Sequence, residues 1–425
     1  MSVFVFLGSL LGAMGLGMPI AFALLVCGIA LMLQAGNFDS LILAQKLIDG
    51  ADSYPLMTIP FFLLAGELMN AGGLSRRIVA AAMALFGHLR GGLGYVVIGT
   101  GVLLASMSGS AIADTATLAV MLLPLMREAG YSVNRSSGLI AATGIIAPII
   151  PPSVGFVLFG VTANVSIAKL FLAGIVPGLL MAASLVAAWW WLASKDSFTL
   201  PSKQSRAETR RALINALWAI GLPVFMVGGL KFGIFTPTEA GVISAAYALL
   251  VSAVVYRELS LSALYEAVLS ATKTSAVIML LVAASSVPAW LITAANVPQQ
   301  VASLLQPFMD SPILLMLVIA LFVTAIGTSM DFAPSILILT PVLMPVVKTA
   351  GIDPVYFGVM FIMTAAIGLI TPPVGAVLNT VCGVSKISME DAVRGVLPFL
   401  IAELFVLLLL ILFPALVTVP AAWFY

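Results

Sequence analysis

Residues 144–153 read GIIAPIIPPS and residues 368–375 read GLITPPVG, each inside an otherwise apolar stretch. Proline has no backbone donor and clashes with the carbonyl four residues back, so clustered prolines interrupt a helix and release carbonyl oxygens. The spacing predicts one helix near 134–163 and another near 355–382, each broken in its middle. Freed carbonyls are costly in hydrocarbon and persist where they are buried in protein or line a cavity. Each break therefore offers oxygens to a dehydrated cation. The N–H groups at the start of the half-helix beyond it favour an anion.

The rest of the chain is built for lipid. Of its 425 residues, 62% are hydrophobic and 8% charged, against roughly 25% charged in soluble proteins. Mean hydropathy is +1.19. Apolar runs such as Leu404–Val419 are too continuous for barrel strands, which alternate over about ten residues. The fold class is an all-α polytopic membrane protein. A net charge of +1 leaves no basic face for nucleic acid. Cys27 and Cys382 lie in apolar segments and suggest no disulfide framework. The N-terminus lacks a basic region and a small-residue cleavage site, so it reads as a first membrane segment. With one histidine, no H-E-x-x-H, no C-x-x-C and no P-loop lysine, nothing supports an enzyme, an organic cofactor or ATP as energy source.

Charge placement gives an orientation. The most polar stretch, Ser194–Arg211, holds Lys195, Lys203, Arg206, Arg210 and Arg211; the positive-inside rule makes it cytoplasmic. Trp189, Trp190 and Trp191 before it read as an aromatic belt. Traced outward, Arg76, Arg77, Arg90, Arg127, Arg135, Arg257, Lys273, Lys386 and Arg394 also fall inside, and Lys46, Lys169, Lys231 and Lys348 outside. The trace has about ten spans plus two segments that enter and return, with both termini periplasmic if the membrane is a bacterial inner membrane.

The halves repeat. Adding 221 to a residue number matches Leu118 to Leu339, Pro124 to Pro345, Gly130 to Gly351, Pro151-Pro152 to Pro372-Pro373 and Pro177 to Pro398. The charge trace gives the two copies opposite orientation, an inverted repeat of the kind found in secondary transporters. The first repeat covers 1–193, a cytoplasmic linker 194–211, and the second repeat 212–425. Each also holds a polar, small-residue cluster between two short apolar arms: SMSGS at 106–110 followed by Asp114, and GTSMD at 327–331. A full span needs about 20 residues, so these read as re-entrant hairpins near 94–126 and 313–347.

Hydroxyls of Ser106, Ser108, Ser110, Ser153 and Thr371 can complete a sodium shell. Asp114 and Asp331 each cost about 2.5–3.5 kcal/mol at the bilayer centre, so they are expected to face a cavity or partner, lining the substrate or ion path, helping to hold the hairpins, or gating. Glu67, Glu239 and Glu403 read as structural or interfacial, and His88, beside Arg90, as solvated. Single prolines in membrane helices are kinks; Pro19, Pro60, Pro177 and Pro398 are read so.

The chain resembles the large membrane subunit of tripartite ATP-independent periplasmic (TRAP) transporters. The motifs that carry the resemblance are Ser106–Asp114, Gly144–Ser153, Gly233–Gly241 (GIFTPTEAG), Met330–Pro345 and Gly368–Gly375, spread over essentially the whole length. The resemblance implies an elevator-type ion-transporter fold, driven by sodium, that takes up a small organic acid such as sialic acid, another sugar acid, a keto acid or a dicarboxylate. It implies sodium sites where Ser106, Ser108 and Gly109 meet Gly144, Ile149 and Pro151, and where Gly327, Ser329 and Met330 meet Gly368, Thr371 and Pro372. Ser110, Asp114, Ser153 and Asp331, with Pro152 and Pro373, then line the substrate or ion path. It also implies two partners: a small four-helix membrane subunit, expected as a separate chain, and a periplasmic substrate-binding protein. A stand-alone sodium-coupled carboxylate carrier, a channel and a non-transporting receptor stay open beside this reading.

Overall fold

The computed structural model describes residues 2–36, 38–194 and 203–423, so Lys195 and the rest of 195–202 within the 194–211 linker lie outside the described residues. Among the described residues the chain is helical, with no strand. Polar residues set many of the starts. Asp39 accepts from the Leu41 amide at 2.8 Å at the head of α3 (Ser40–Ala51). Thr236 and Glu239 form a reciprocal capping box at the head of α12 (Pro237–Leu250). Such caps satisfy amide donors that a helix cannot pair itself.

Four elements form one block. They are α2 (Ile20–Gln34), α4 (Thr58–Ala71), α12 and the 34-residue α13 (Leu261–Ala294). Both α2 and α4 pack on α13, and α12 packs on α4, where the buried Thr58 and Thr238 hydroxyls meet at 2.9 Å. α5 (Leu74–Phe86) leaves α4 through a 64° bend.

The central elements come in two sets. The first comprises α6 (Gly92–Ser108), α7 (Ala111–Glu128), α8 (Val133–Gly144), α9 (Val154–Ala163) and α10 (Ile167–Ala193). The second comprises α15 (Pro312–Gly327), α16 (Phe332–Thr349), α17 (Pro354–Gly368), α18 (Ala376–Ser385) and α19 (Met389–Leu412). α6 and α7 pack on α8, and α15 and α16 pack on α17. Between sets the packing crosses: α9 on α16, α18 on α7, α19 on α8 and α10 on α17. Every one of these contacts maps onto another when the sets are exchanged. The turns match too. The Tyr131 amide donates to Met126 O at 2.9 Å, and the Ile352 amide to Val347 O at 3.1 Å.

The structure differs from the sequence expectations in several places. Among the described residues, six helices are long and apolar enough to cross a membrane, or seven if the bent 54–86 pair counts as one, against the expected ten or so. The other apolar helices run 10–17 residues, because breaks and tight turns cut the apolar stretches short. The run Leu404–Val419 is divided at Pro414, where α19 stops before α20 (Ala415–Trp423). Pro19 caps α2 instead of kinking it, and Pro60 sits in the first turn of α4. Trp189 is no belt residue: it is buried, its indole donates to Gly91 O at 2.8 Å, and it stacks between Tyr131 and Phe399. His88 is half-buried, with Nδ1 shielded from solvent.

Candidate functional site

The first helical tip sits directly on the first break. α6 ends at Ser108, Gly109 turns through a left-handed φ of +62°, and Ser110 caps α7 through the Ala113 amide. A Cβ on Gly109 would stand 2.6 Å from Pro152 O and 3.1 Å from Ser153 Cα, so only glycine lets the tip approach this closely. The Ser108 hydroxyl donates to Asp114 Oδ1 and accepts from the Ser110 amide at 3.2 Å. Within the break, Ser153 donates to Pro148 O at 2.5 Å and accepts from the Phe156 amide at 3.2 Å, which caps α9. Pro151 and Pro152 are buried with the rest of residues 141–160.

Buried oxygens without partners gather beside this junction. Asp114 is 4% exposed and its Oδ2 is unpaired; Thr115 and Thr143 hydroxyls are likewise buried and unpaired. A Cβ on Gly144 would overlap Thr115 Oγ1, so that hydroxyl lies against the end of α8. A buried polar atom left unpaired costs about 1–3 kcal/mol. Sequence reading missed Thr115 and Thr143, because a single hydroxyl in an apolar helix carries no pattern. Two predicted residues point elsewhere: Ser106 donates back to Leu103 O at 2.6 Å, and the Ile149 carbonyl lies against Gly174 of α10.

The second junction is held by backbone. Gly327 packs on Gly368, where an added Cβ would stand 3.1 Å from the Gly368 Cα. The Gly375 amide donates to Thr328 O at 3.1 Å, and the Val377 amide to Leu369 O at 3.1 Å. Thr371 donates to Ile367 O at 2.8 Å. Ser329 and Asp331 are exposed, Met330 and Pro372 half-buried, and Pro373 exposed. Asp331 occupies the cap position of α16 without a side-chain cap bond.

Between the two tips lies a cavity of about 240 Å³, lined by Gly109, Ser110, Thr274, Asp331, Phe332 and Leu369 among others. The starts of α7, α9 and α16 all border it. Helix starts carry unpaired amides and partial positive charge, which suit an anion. No Lys, Arg or His lines the cavity. Among the described residues no cluster of three or more His, Cys, Asp or Glu could hold a metal ion. The oxygens available are hydroxyls, carbonyls and single carboxylates, a set that suits a hard cation better than a soft transition metal.

Other carboxylates are placed differently. Glu67 accepts from the Ser270 hydroxyl at 2.6 Å. Glu239 accepts from the Thr236 amide at 2.7 Å and from the Thr236 hydroxyl at 2.9 Å. Glu258 pairs with Arg76 at 2.8 Å and Arg77 at 2.7 Å beside the α4–α5 bend. Glu403 is fully buried on α19 with neither carboxyl oxygen partnered.

The model of the family described as "Tripartite ATP-independent periplasmic transporter, DctM component" matches residues 7–416. The 2,3-diketo-L-gulonate TRAP transporter large permease protein of Escherichia coli is 53% identical over 423 residues, covering 100% of both chains. The sialic acid TRAP transporter large permease of Vibrio cholerae is 39% identical, covering 96% of each chain. The isethionate TRAP transporter permease of Oleidesulfovibrio alaskensis is 38% identical, covering 94% of this chain and 63% of its own. Among solved structures, the YdaH transporter of Alcanivorax borkumensis, described as having an unusual topology, superposes with a TM-score of 0.63. It is 16% identical and covers 87% of this chain, a likeness of fold alone.

Proposed function

The chain belongs to the DctM component family of tripartite ATP-independent periplasmic transporters, and from that premise we propose that it carries a small organic acid inward, coupled to sodium. It is a multi-pass inner-membrane transport subunit and not an enzyme. Large permeases of this family work with a small membrane subunit and a periplasmic binding protein. In this reading both partners serve this chain.

The observation that carries the proposal is the central cavity, which both tips, the second break and three helix starts border. The helix starts suit the carboxylate of the acid. Sodium is the co-transported ion. Near the first tip the oxygens of Ser108, Asp114 and Thr115, with carbonyls freed at 144–151, would hold it. Near the second, carbonyls of Gly327 and Gly368 with Ser329, Met330, Thr371 and Pro372 would do so. A bound cation would offset the charge of Asp114, which burial otherwise makes costly.

The halves 1–193 and 212–425 are inverted repeats in this reading, with both termini periplasmic. The exchange of contacts between the two central sets supports it. An elevator motion would carry those sets against the block of α2, α4, α12 and α13. The sugar-acid and sulfonate names of the relatives favour a hydroxylated acid as substrate.

The test is uptake into proteoliposomes holding this chain and its small subunit, under an inward sodium gradient, with and without liganded binding protein. Uptake that needs both sodium and the binding protein is the expected result. Sodium-driven uptake without the binding protein would replace it with a stand-alone carrier, and ion flux without saturable uptake with a channel.

A further inference from the structure

We propose that Thr274 is a specificity-determining residue of the central cavity, hydrogen-bonding a hydroxyl or keto oxygen on the part of the substrate remote from its acid group. The inference rests on the transport reading above and names what that site selects.

The cavity has two unlike walls. One comes from the two tips and the second break and presents the starts of α7, α9 and α16 together with Asp331. The other comes from α4 and α13 and consists of Leu63, Thr274, Val277, Ile278 and Leu281. Thr274 is the one side chain on this second wall that can form a hydrogen bond. Hydroxyls in helices ordinarily donate back to a carbonyl three or four residues earlier. Ser275, next in sequence, does so to Ala271 O at 2.6 Å. Thr274 is exposed and its hydroxyl is committed to no such bond. It is therefore free to act as donor or acceptor toward a guest.

Size makes the two walls act on one molecule. About 240 Å³ lies below the ~300–1,000 Å³ usual for small-molecule sites. A compact acid whose charged group rests on the helix starts then has its far end at the α4–α13 wall. Charge narrows the choice further. The α4–α13 wall has no cationic side chain, so a second acid group at the far end would leave water for an apolar surface and meet no charged partner. A neutral hydroxyl or keto group there would meet Thr274. The selected class is a hydroxy- or keto-substituted monoanion in preference to a dianion.

The experiment compares wild type with Thr274→Val, which keeps the shape and removes the hydroxyl, and Thr274→Ser, which keeps the hydroxyl. Binding of 2,3-diketo-L-gulonate, sialic acid and isethionate to the purified complex of this chain with its small subunit is measured in sodium. The binding protein is omitted so that its own selectivity does not enter. For the acid that wild type binds best, Thr274→Val is expected to raise Kd roughly fivefold to tenfold, with Thr274→Ser close to wild type. An unchanged Kd in Thr274→Val, or an equal loss in both variants, overturns the role of Thr274. Uptake by the wild-type three-component system is run alongside with the same acids. Absence of uptake sinks the transport reading, whereas uptake together with an unchanged Thr274→Val Kd sinks this inference alone.

Discussion

The two breaks share a sequence plan and are held in different ways. At the first, the prolines and most of the following half-helix are buried, the tip is buried or half-buried, and Ser108 anchors the carboxylate of Asp114. At the second, a glycine rests on a glycine, one amide of the break reaches Thr328 O, and Asp331 stands exposed at the cavity. The difference follows from where each half places its acid. Asp114 lies one turn inside α7, where neighbouring helices cover it. Its counterpart position on α16 is Ser335, and the acid of that half stands at the helix cap instead. Close backbone packing at a glycine holds both junctions; the first also ties its buried acid to Ser108, while the second leaves its acid free for a ligand.

The comparison breaks first at the glycines. Gly327→Val would press a branched side chain into the Gly368 backbone, an overpacking that costs about 1–3 kcal/mol. A displaced tip is expected to cut uptake roughly 100-fold. Wild-type uptake would mean that the second junction is not close-packed in the working protein.

Asp114→Asn and Asp331→Asn test the two acids directly. A buried charge is expected to count for more than an exposed one. Half-saturation by sodium should therefore rise roughly 30-fold or more for Asp114→Asn and about fivefold for Asp331→Asn. Equal shifts in sodium-dependent uptake would erase the distinction between the junctions.

Thr115→Val sharpens the first junction. If its unpaired hydroxyl serves a cation, sodium activation should weaken about fivefold while thermal stability holds or rises by about 1 kcal/mol. A fall in stability with unchanged sodium activation would make Thr115 a packing residue.

The smallest effect concerns the bend before the first tip. Hydrogen bonding and charge from Arg77, with Arg76 nearby, hold Glu258 below its usual range. A depressed pKa means that the contribution is complete at neutral pH and disappears as pH falls through that lowered value. Glu258→Gln should cost under ~1 kcal/mol in thermal unfolding, because the pair is partly exposed. A larger loss would make the bend a structural keystone of the first half.

The sequence by itself determined what acts through the local backbone. Pro148, Pro151 and Pro152 in one segment, and Pro372 and Pro373 in the other, remove donors wherever they fall, so the interruptions at 145–153 and 369–375 are legible without a fold. Ser110 and Ser153 cap, and Gly109 turns, for equally local reasons. Apolar composition alone declared the bilayer, and the motifs declared the family.

Only the tertiary structure decided which surfaces meet. Helices apolar on every side give no periodicity from which a partner could be read. The crossing of α9 onto α16 and of α18 onto α7 was therefore invisible. So were the burial of Trp189, the unpaired hydroxyls of Thr115 and Thr143, and the arrival of Thr274 opposite Asp331. Thr274 and Asp331 are far apart in the chain, and each looks ordinary alone. They share a cavity because close packing of small residues brings distant helices together, and packing is a property of surfaces in contact, which a linear sequence does not display.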